Sequence, residues 1–209
     1  MSEFVFFTTN DFELTDGGTI RMNGILEALI EHGHNVTLIS NIKDIANSIV
    51  GVRHIPLDIQ FSKSQRRLIM LFVSIFPFAL NRFFLFPYLH RLRQFFAGND
   101  QFKGIIFFEY FDNCAAYILK KLNIIRSSTL DVHGVADLEF QFKPDASLVQ
   151  KIVSKLKLAS SILLDRKVFG SADKIIALNE VFRDYFLGKY DFLSPENFLI
   201  VDDGLTMEY

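Results

Sequence analysis

Six short, nearly continuous apolar runs, alternating with helix-like stretches, constrain this chain more than any other feature. They are FVFFTT (Phe4–Thr9), NVTLIS (Asn35–Ser40), GIIFFEY (Gly104–Tyr110), STLDVH (Ser128–His133), KIIALN (Lys174–Asn179) and NFLIVDD (Asn197–Asp203), with GVRHIPL as a candidate seventh. Runs this short, apolar on successive residues, are what strands buried on both faces of a parallel sheet require. Helices are expected between them: Thr19 to His32, closed by Gly33; Cys114 to Leu122; and Val149 to Phe169. In the last of these Ile152, Val153, Leu156, Ala159, Leu163 and Lys167 fall on roughly helical spacing. Asn179 is suited to cap a further helix running through Phe186. The alternation predicts an α/β fold, an open, mostly parallel, doubly wound (Rossmann-like) sheet whose ligands sit at the carboxyl ends of the strands.

The first strand-to-helix connection contains TDGG, with Gly17 and Gly18 at the mouth of the helix. A helix N-terminus presents unpaired N–H groups and a positive dipole end, which suits a phosphate. Two residues without a β-carbon let a diphosphate approach the backbone, and Arg21, one turn in, is placed to add a charge-assisted contact. A plain turn is the competing reading, since glycine is common in turns. The pattern is not GxGxxG and the P-loop lysine is missing, so neither fingerprint is present.

Other residues stand at the same predicted edge. His133 and Gly134 end the fourth run, and Glu109 and Tyr110 end the third. His133, Glu109 and Tyr110 are placed to bond ligand hydroxyls, Glu109 also to accept a proton, and Gly134 leaves room beside His133. Strand-end polarity explains them almost as well. Asp131 is read as facing the other side of the sheet. His32 and His34 flank a helix C-terminus, where imidazole suits the dipole. His54 and His90 have no ligand spacing with any other candidate, so no metal site and no cofactor are expected.

Composition narrows the partners. The 209 residues suit a single domain spanning 1–209. Basic residues number 22 against 24 acidic, without the positive excess that nucleic-acid binding leaves. Cys114 is the only cysteine, which rules out an intrachain disulfide and points to a reducing, cytoplasmic setting. The opening MSEFVFFTTNDFE has no basic n-region and is unlike a secretory leader.

One segment departs from the alternation. Residues 59–99 contain no acidic residue, while Lys63, Arg66, Arg67, Arg82, Arg91 and Arg93 are all positive and nine of the 24 phenylalanines fall there. Its longest uncharged run is 14 residues and contains Pro77, short of the roughly 20 that span a bilayer. Two readings remain open. The aromatics fill the core beneath solvated arginines, or Arg66, Arg67, Arg82, Arg91 and Arg93 face an anionic membrane on whose inner surface the protein lies.

Taken together, GGTIR…GHNVTLIS, then DRKVFGSADKIIALNEVFRDYF, then FLIVDDGLTMEY resemble the N-terminal, acceptor-side domain of family 4 glycosyltransferases, one half of a GT-B fold, nearly end to end. Asp165-Arg166 stands for that family's acidic-Arg pair, Ala172-Asp173 for its Ala-Asp, Asn179 for its serine cap and Asp203-Gly204 for its Asn-Gly turn. The resemblance implies retaining transfer of a sugar from a nucleotide-sugar to a glycan or lipid-linked acceptor, as in polysaccharide biosynthesis. Gly17, Gly18 and Arg21 would face the donor diphosphate. His133 and Glu109 would lie at the reacting sugar, and Tyr110 and Gly134 on the acceptor side. It also implies that the donor-binding domain lies outside this chain, in cis or in trans, leaving the isolated chain inactive. The alternative is a non-catalytic membrane-recruitment subunit with the same fold.

Overall fold

In a computed structural model, residues 2–9, 17–41, 50–57, 60–97, 104–132, 134 and 148–201 are described. All seven expected strands form: β1 (Glu3–Phe7), β2 (Asn35–Ser40), β3 (Val52–Pro56), β4 (Gly104–Phe107), β5 (Ser127–Val132), β6 (Lys174–Ala177) and β7 (Phe198–Ile200). They make one sheet in the order β3-β2-β1-β4-β5-β6-β7, parallel at every pairing. Phe7 is opposite Ile39 on one side and Phe107 on the other. The order runs outward from β1 to β3 and then resumes on β1's other flank with β4. The chain thus reverses its winding between β1 and β4, and the carboxyl ends of those two strands open a crevice. Among the described residues, strands β3 and β7 are the sheet's two edges.

Strand alternation divides the core between the two faces. Phe6, Val36, Leu38 and Phe108 meet Met22 and Leu26 of α1 (Gly17–Glu31). Val5, Phe7, Ile39, Ile105 and Phe107 turn to the other face, against α5 (Asp112–Lys121), α6 (Leu148–Phe169) and part of the basic segment. Tertiary burial holds α1 together. Gly24 in its interior costs about 1 kcal/mol relative to alanine, and full burial of Met22 and Leu26 offsets it with about 1.5–3 kcal/mol each. The helix stops at Gly33, whose φ of 77° only glycine takes readily. Gly33 N–H donates to Ile30 O at 2.8 Å and His34 N–H to Leu29 O at 3.0 Å, the two bonds that close a helix end. Asn179 caps α7 (Glu180–Lys189) by accepting from Phe182 N–H at 3.0 Å.

The basic segment folds as three helices, α2 (Lys63–Ile75), α3 (Phe78–Phe84) and α4 (Phe86–Ala97). Ser62 and Gln65 form a reciprocal capping box at the start of α2, and Pro77 separates α2 from α3. Lys167 of α6 donates to the carbonyls of Val73 and Phe76 at 2.7 and 2.8 Å, closing the other end of α2. The segment divides between core and solvent-exposed surface. Ile69, Val73, Leu85, Tyr88, Leu89, Leu92 and Phe96 are buried, whereas Phe83, Phe84 and Phe86 are 79, 54 and 62% exposed. Among the described residues no helix is long and apolar enough to cross a membrane.

Candidate functional site

The crevice at the winding reversal is built from the ends of β1 and β4 and the helices that follow them. Thr8 N–H donates to Ile39 O at 3.0 Å and Phe108 N–H to Phe7 O at 3.2 Å, so the ladder continues one residue past each strand. At Thr9 the chain leaves the sheet. Its N–H donates to Asp112 Oδ2 at 3.0 Å and its hydroxyl to Oδ1 at 2.6 Å, which ties the exit of β1 to the first turn of α5. Asp112 is fully buried, and burial pushes its carboxyl up to about 7, helped by the charge of Glu109 and opposed by the Thr9 bonds and by Arg66. Beside it Asn113 is buried with neither its amide oxygen nor its nitrogen bonded, and the Tyr88 hydroxyl is buried without a partner as well. Buried polarity of this kind is rare in folded chains and suits a water or a polar ligand group.

Arg66 arrives at this point from α2. Its Nη2 donates to Thr9 O at 2.6 Å and its guanidinium lies 5.4 Å over the Phe111 ring. The sequence reading gave Arg66 to a membrane surface; the structure turns it inward, because a carbonyl and an aromatic face stand within its reach. Arg67, Arg82, Arg91 and Arg93 are exposed, which both readings of the segment expect.

Arg21 also differs from its expectation. The guanidinium is buried and paired with Asp131, Nε to Oδ2 at 3.2 Å and Nη2 to Oδ1 at 3.1 Å, and Nη1 donates to Val201 O at 2.9 Å. It therefore joins α1 to the ends of β5 and β7 rather than standing open to a diphosphate. Asp131 accordingly lies on the α1 side of the sheet and not on the opposite face.

Glu109 and Tyr110 follow β4 at the crevice and are half-buried. The Tyr110 hydroxyl donates to Asp165 Oδ1 at 2.9 Å, and Tyr190 donates to Oδ2 at 2.9 Å. Burial, and then the Asp165 carboxylate, push the Tyr110 phenol far up. Tyr110 thus reaches into α6 and its expected role toward an acceptor is not open to its hydroxyl in this arrangement. Gly17 and Gly18 are the first two residues of α1, which starts two positions before the expected Thr19, and Gly134 is half-buried just beyond β5. The turn at residues 10–16, His133 and the Asp203-Gly204 turn lie outside the described residues.

The remaining histidines have local tasks. His32 Nδ1 is 2.7 Å from Ala28 O, His34 packs edge-on to Phe4, His54 Nε2 is 3.0 Å from Ser40 Oγ, and His90 stacks on Phe86. Asp173 accepts from Ser128 N–H at 2.8 Å and Lys120 at 2.6 Å, and so holds the start of β6 against β5. Burial raises the Cys114 thiol, which makes it an inert core group. Sequence reasoning missed Thr9, Asp112 and Tyr190, and it named Asp165 only as half of an acidic-Arg pair, not as the acceptor of two tyrosine hydroxyls. Only Asp112 carried a local signal, an acidic residue just past a strand where a helix begins.

No protein-family model matches the sequence, and no curated protein matches it. Solved structures do. The Anabaena protein Alr3699/HepE, crystallised in complex with UDP and glucose, aligns over 97% of this chain and 44% of its own, with a TM-score of 0.52 and 10% identity. Its crystal form with UDP gives a TM-score of 0.50 at the same identity. A glycosyltransferase from Rickettsia africae aligns over 96% of this chain and 42% of its own, at a TM-score of 0.47 and 14% identity. The chain spans less than half the length of each. At such identities the likeness concerns architecture alone: this chain is an all-parallel, Rossmann-like α/β sheet that overlays less than half of the Anabaena protein.

Proposed function

We propose that this chain is the acceptor-side half of a retaining, family 4-like GT-B glycosyltransferase, transferring a sugar from a nucleotide-sugar to a glycan or lipid-linked acceptor. The observation that carries the reading is the crevice between β1 and β4, onto which the glycine-led start of α1 and the Asp112-led start of α5 both open. Backbone N–H groups at Gly17 and Gly18 supply partial positive charge to the leaving diphosphate. In the transfer, the acceptor oxygen bonds the anomeric carbon while the bond from that carbon to the diphosphate oxygen breaks. The electron pair departs with the nucleoside diphosphate. The acceptor proton passes to the Glu109 carboxylate or to the departing phosphate. By the family resemblance His133, next after β5 in the sequence, would bond the reacting sugar, with Gly134 leaving room for the acceptor. Arg21 acts as a positioning residue through Asp131. No metal or cofactor is invoked, and the groups that recognise base and ribose belong to a donor-binding domain supplied in cis or in trans.

The test is sugar transfer by this chain joined to its donor-binding half, across a panel of nucleotide-sugars. Gly18→Val should lower turnover by roughly 100-fold, since a branched side chain at the helix mouth displaces the reacting groups. His133→Ala should lower it by about 5- to 150-fold, the loss of one positioned hydrogen bond. Unchanged turnover in both variants, with the fold intact, would remove the site from this edge. Micromolar or tighter binding of a nucleotide-sugar to the isolated 209 residues would instead overturn the half-enzyme reading, because it would show that no second half is needed to hold the donor.

A second reading is favoured by the exposed aromatics and arginines of α2–α4: a membrane-recruitment role, with the protein peripheral on an anionic inner surface. Flotation with vesicles of increasing anionic content tests it, and binding should fall with salt as charges are screened over about 8–10 Å.

A further inference from the structure

One face of α3 and one face of α4 enclose an open cavity of about 500 Å³, lined by Ala79, Arg82, Phe83, Phe86, Leu89, His90, Arg93 and Leu122. Buried Leu89 forms part of its floor, and exposed Phe83 and Phe86 stand among its walls. Phe86 and His90, one turn apart, stack at 5.7 Å and 14°. Arg82 and Arg93 are exposed and form no ion pair among the described residues. We propose that this cavity is a binding site for the headgroup phosphate of an anionic phospholipid, with Arg82, His90 and Arg93 around the phosphate and Phe83 and Phe86 set among the acyl chains.

The occupant follows from what surrounds the cavity. Cations alone would serve a free phosphate or an acidic peptide equally. Large aromatics held out in water beside those cations match an interface in which one side is anionic and the other hydrocarbon. The 59–99 segment carries no carboxylate that such a surface would repel. Its helices are too short and interrupted to enter the bilayer as a span, so the segment lies on the surface. Leu122, at the end of α5, places the cavity about 15 Å along that helix from Asp112, at 1.5 Å per residue. The bound lipid is therefore an anchor and not the acceptor in the crevice. This deepens the membrane reading and rests on it, while leaving the proposed transfer chemistry independent.

The test measures partition of the 209-residue chain onto phosphatidylcholine vesicles with and without phosphatidylglycerol. Arg82→Ala with Arg93→Ala is compared with Arg67→Ala with Arg91→Ala, which removes equal charge outside the cavity. All four side chains are exposed, and thermal melts confirm that the fold persists. The cavity pair should lower partition onto the anionic vesicles by roughly tenfold or more, and the outside pair by clearly less. Phe83→Ser with Phe86→Ser should abolish vesicle binding without altering the weak binding of soluble glycerophosphate. Equal losses from the two arginine pairs would overturn the site while leaving membrane association standing. Absence of vesicle binding by the native chain would overturn both. Binding of glycerophosphate or of polyglutamate with no preference for vesicles would assign the cavity to a soluble anion or an acidic partner and overturn the lipid.

Discussion

Arginines at the crevice and arginines on α3 and α4 face opposite fates within one chain. Arg21 and Arg66 are drawn inward, the first by Asp131 and the Val201 carbonyl, the second by the Thr9 carbonyl and the Phe111 ring. Arg82, Arg91 and Arg93 remain exposed. Residue type does not separate the two groups; the acceptors within reach do. A guanidinium buried in a bidentate pair fixes the elements it joins, because moving either leaves a charge stranded. A guanidinium in water fixes nothing and stays available to a partner. The crevice is thus built for rigidity, and the basic segment for encounter.

The largest effect that could break this contrast comes from the buried pair. Asp131→Ala should destabilise by about 3–5 kcal/mol, since Arg21 is left charged and unpaired, whereas Arg91→Ala should stay within about 0.5 kcal/mol. Urea unfolding measures both, and similar midpoints would erase the distinction.

Next comes the Asp112 carboxyl, raised from 3.8 to about 7. A carboxyl raised by folding binds its proton more tightly in the folded chain than in the unfolded one. Stability from this group is therefore full below about pH 4 and falls as pH rises toward 7, by on the order of 3–4 kcal/mol. Asp112→Asn should flatten that descent. Unfolding curves across this pH range that run parallel in the two proteins would show that Asp112 is not held as the structure has it.

Arg66→Ala is expected to cost about 1.5–3 kcal/mol, the range for a hydrogen bond from a charged donor. It also removes an influence that lowers the Asp112 carboxyl, so the pH-dependent loss should extend to higher pH. Vesicle binding should change little. A vesicle defect as large as that of the cavity pair, with stability unaltered, would move Arg66 back to the surface group.

The architecture was legible because its signals are local. Apolar runs mark the strands, Gly33 and Asn179 mark helix ends, and Pro77 marks a break. The crevice contacts were not legible, because they join residues far apart in the chain: Thr9 and Asp112 are 103 positions apart, and Arg21 and Asp131 are 110. The helix carrying Asp112 was also expected to begin two residues later, at Cys114, which left the aspartate in a loop. Arg66 and Arg67 show the limit most plainly. They are adjacent and identical in type, yet about 100° of helical rotation sends one toward Thr9 and the other to solvent.

The two edges of the sheet also bear on how copies of the chain meet. An unpaired strand edge is a template for another chain, and long flat edges seed aggregation. Here β3 carries Arg53 and ends at Pro56, which has no N–H to offer, and β7 is only three residues long. Leu199 and Ile200 are 45 and 40% exposed on β7, so brevity is what protects that margin. Lengthening it by polymer-like stacking would need a partner strand to register on three residues, too few to hold against thermal motion. Among the described residues both margins of the sheet are therefore poor templates for a second strand.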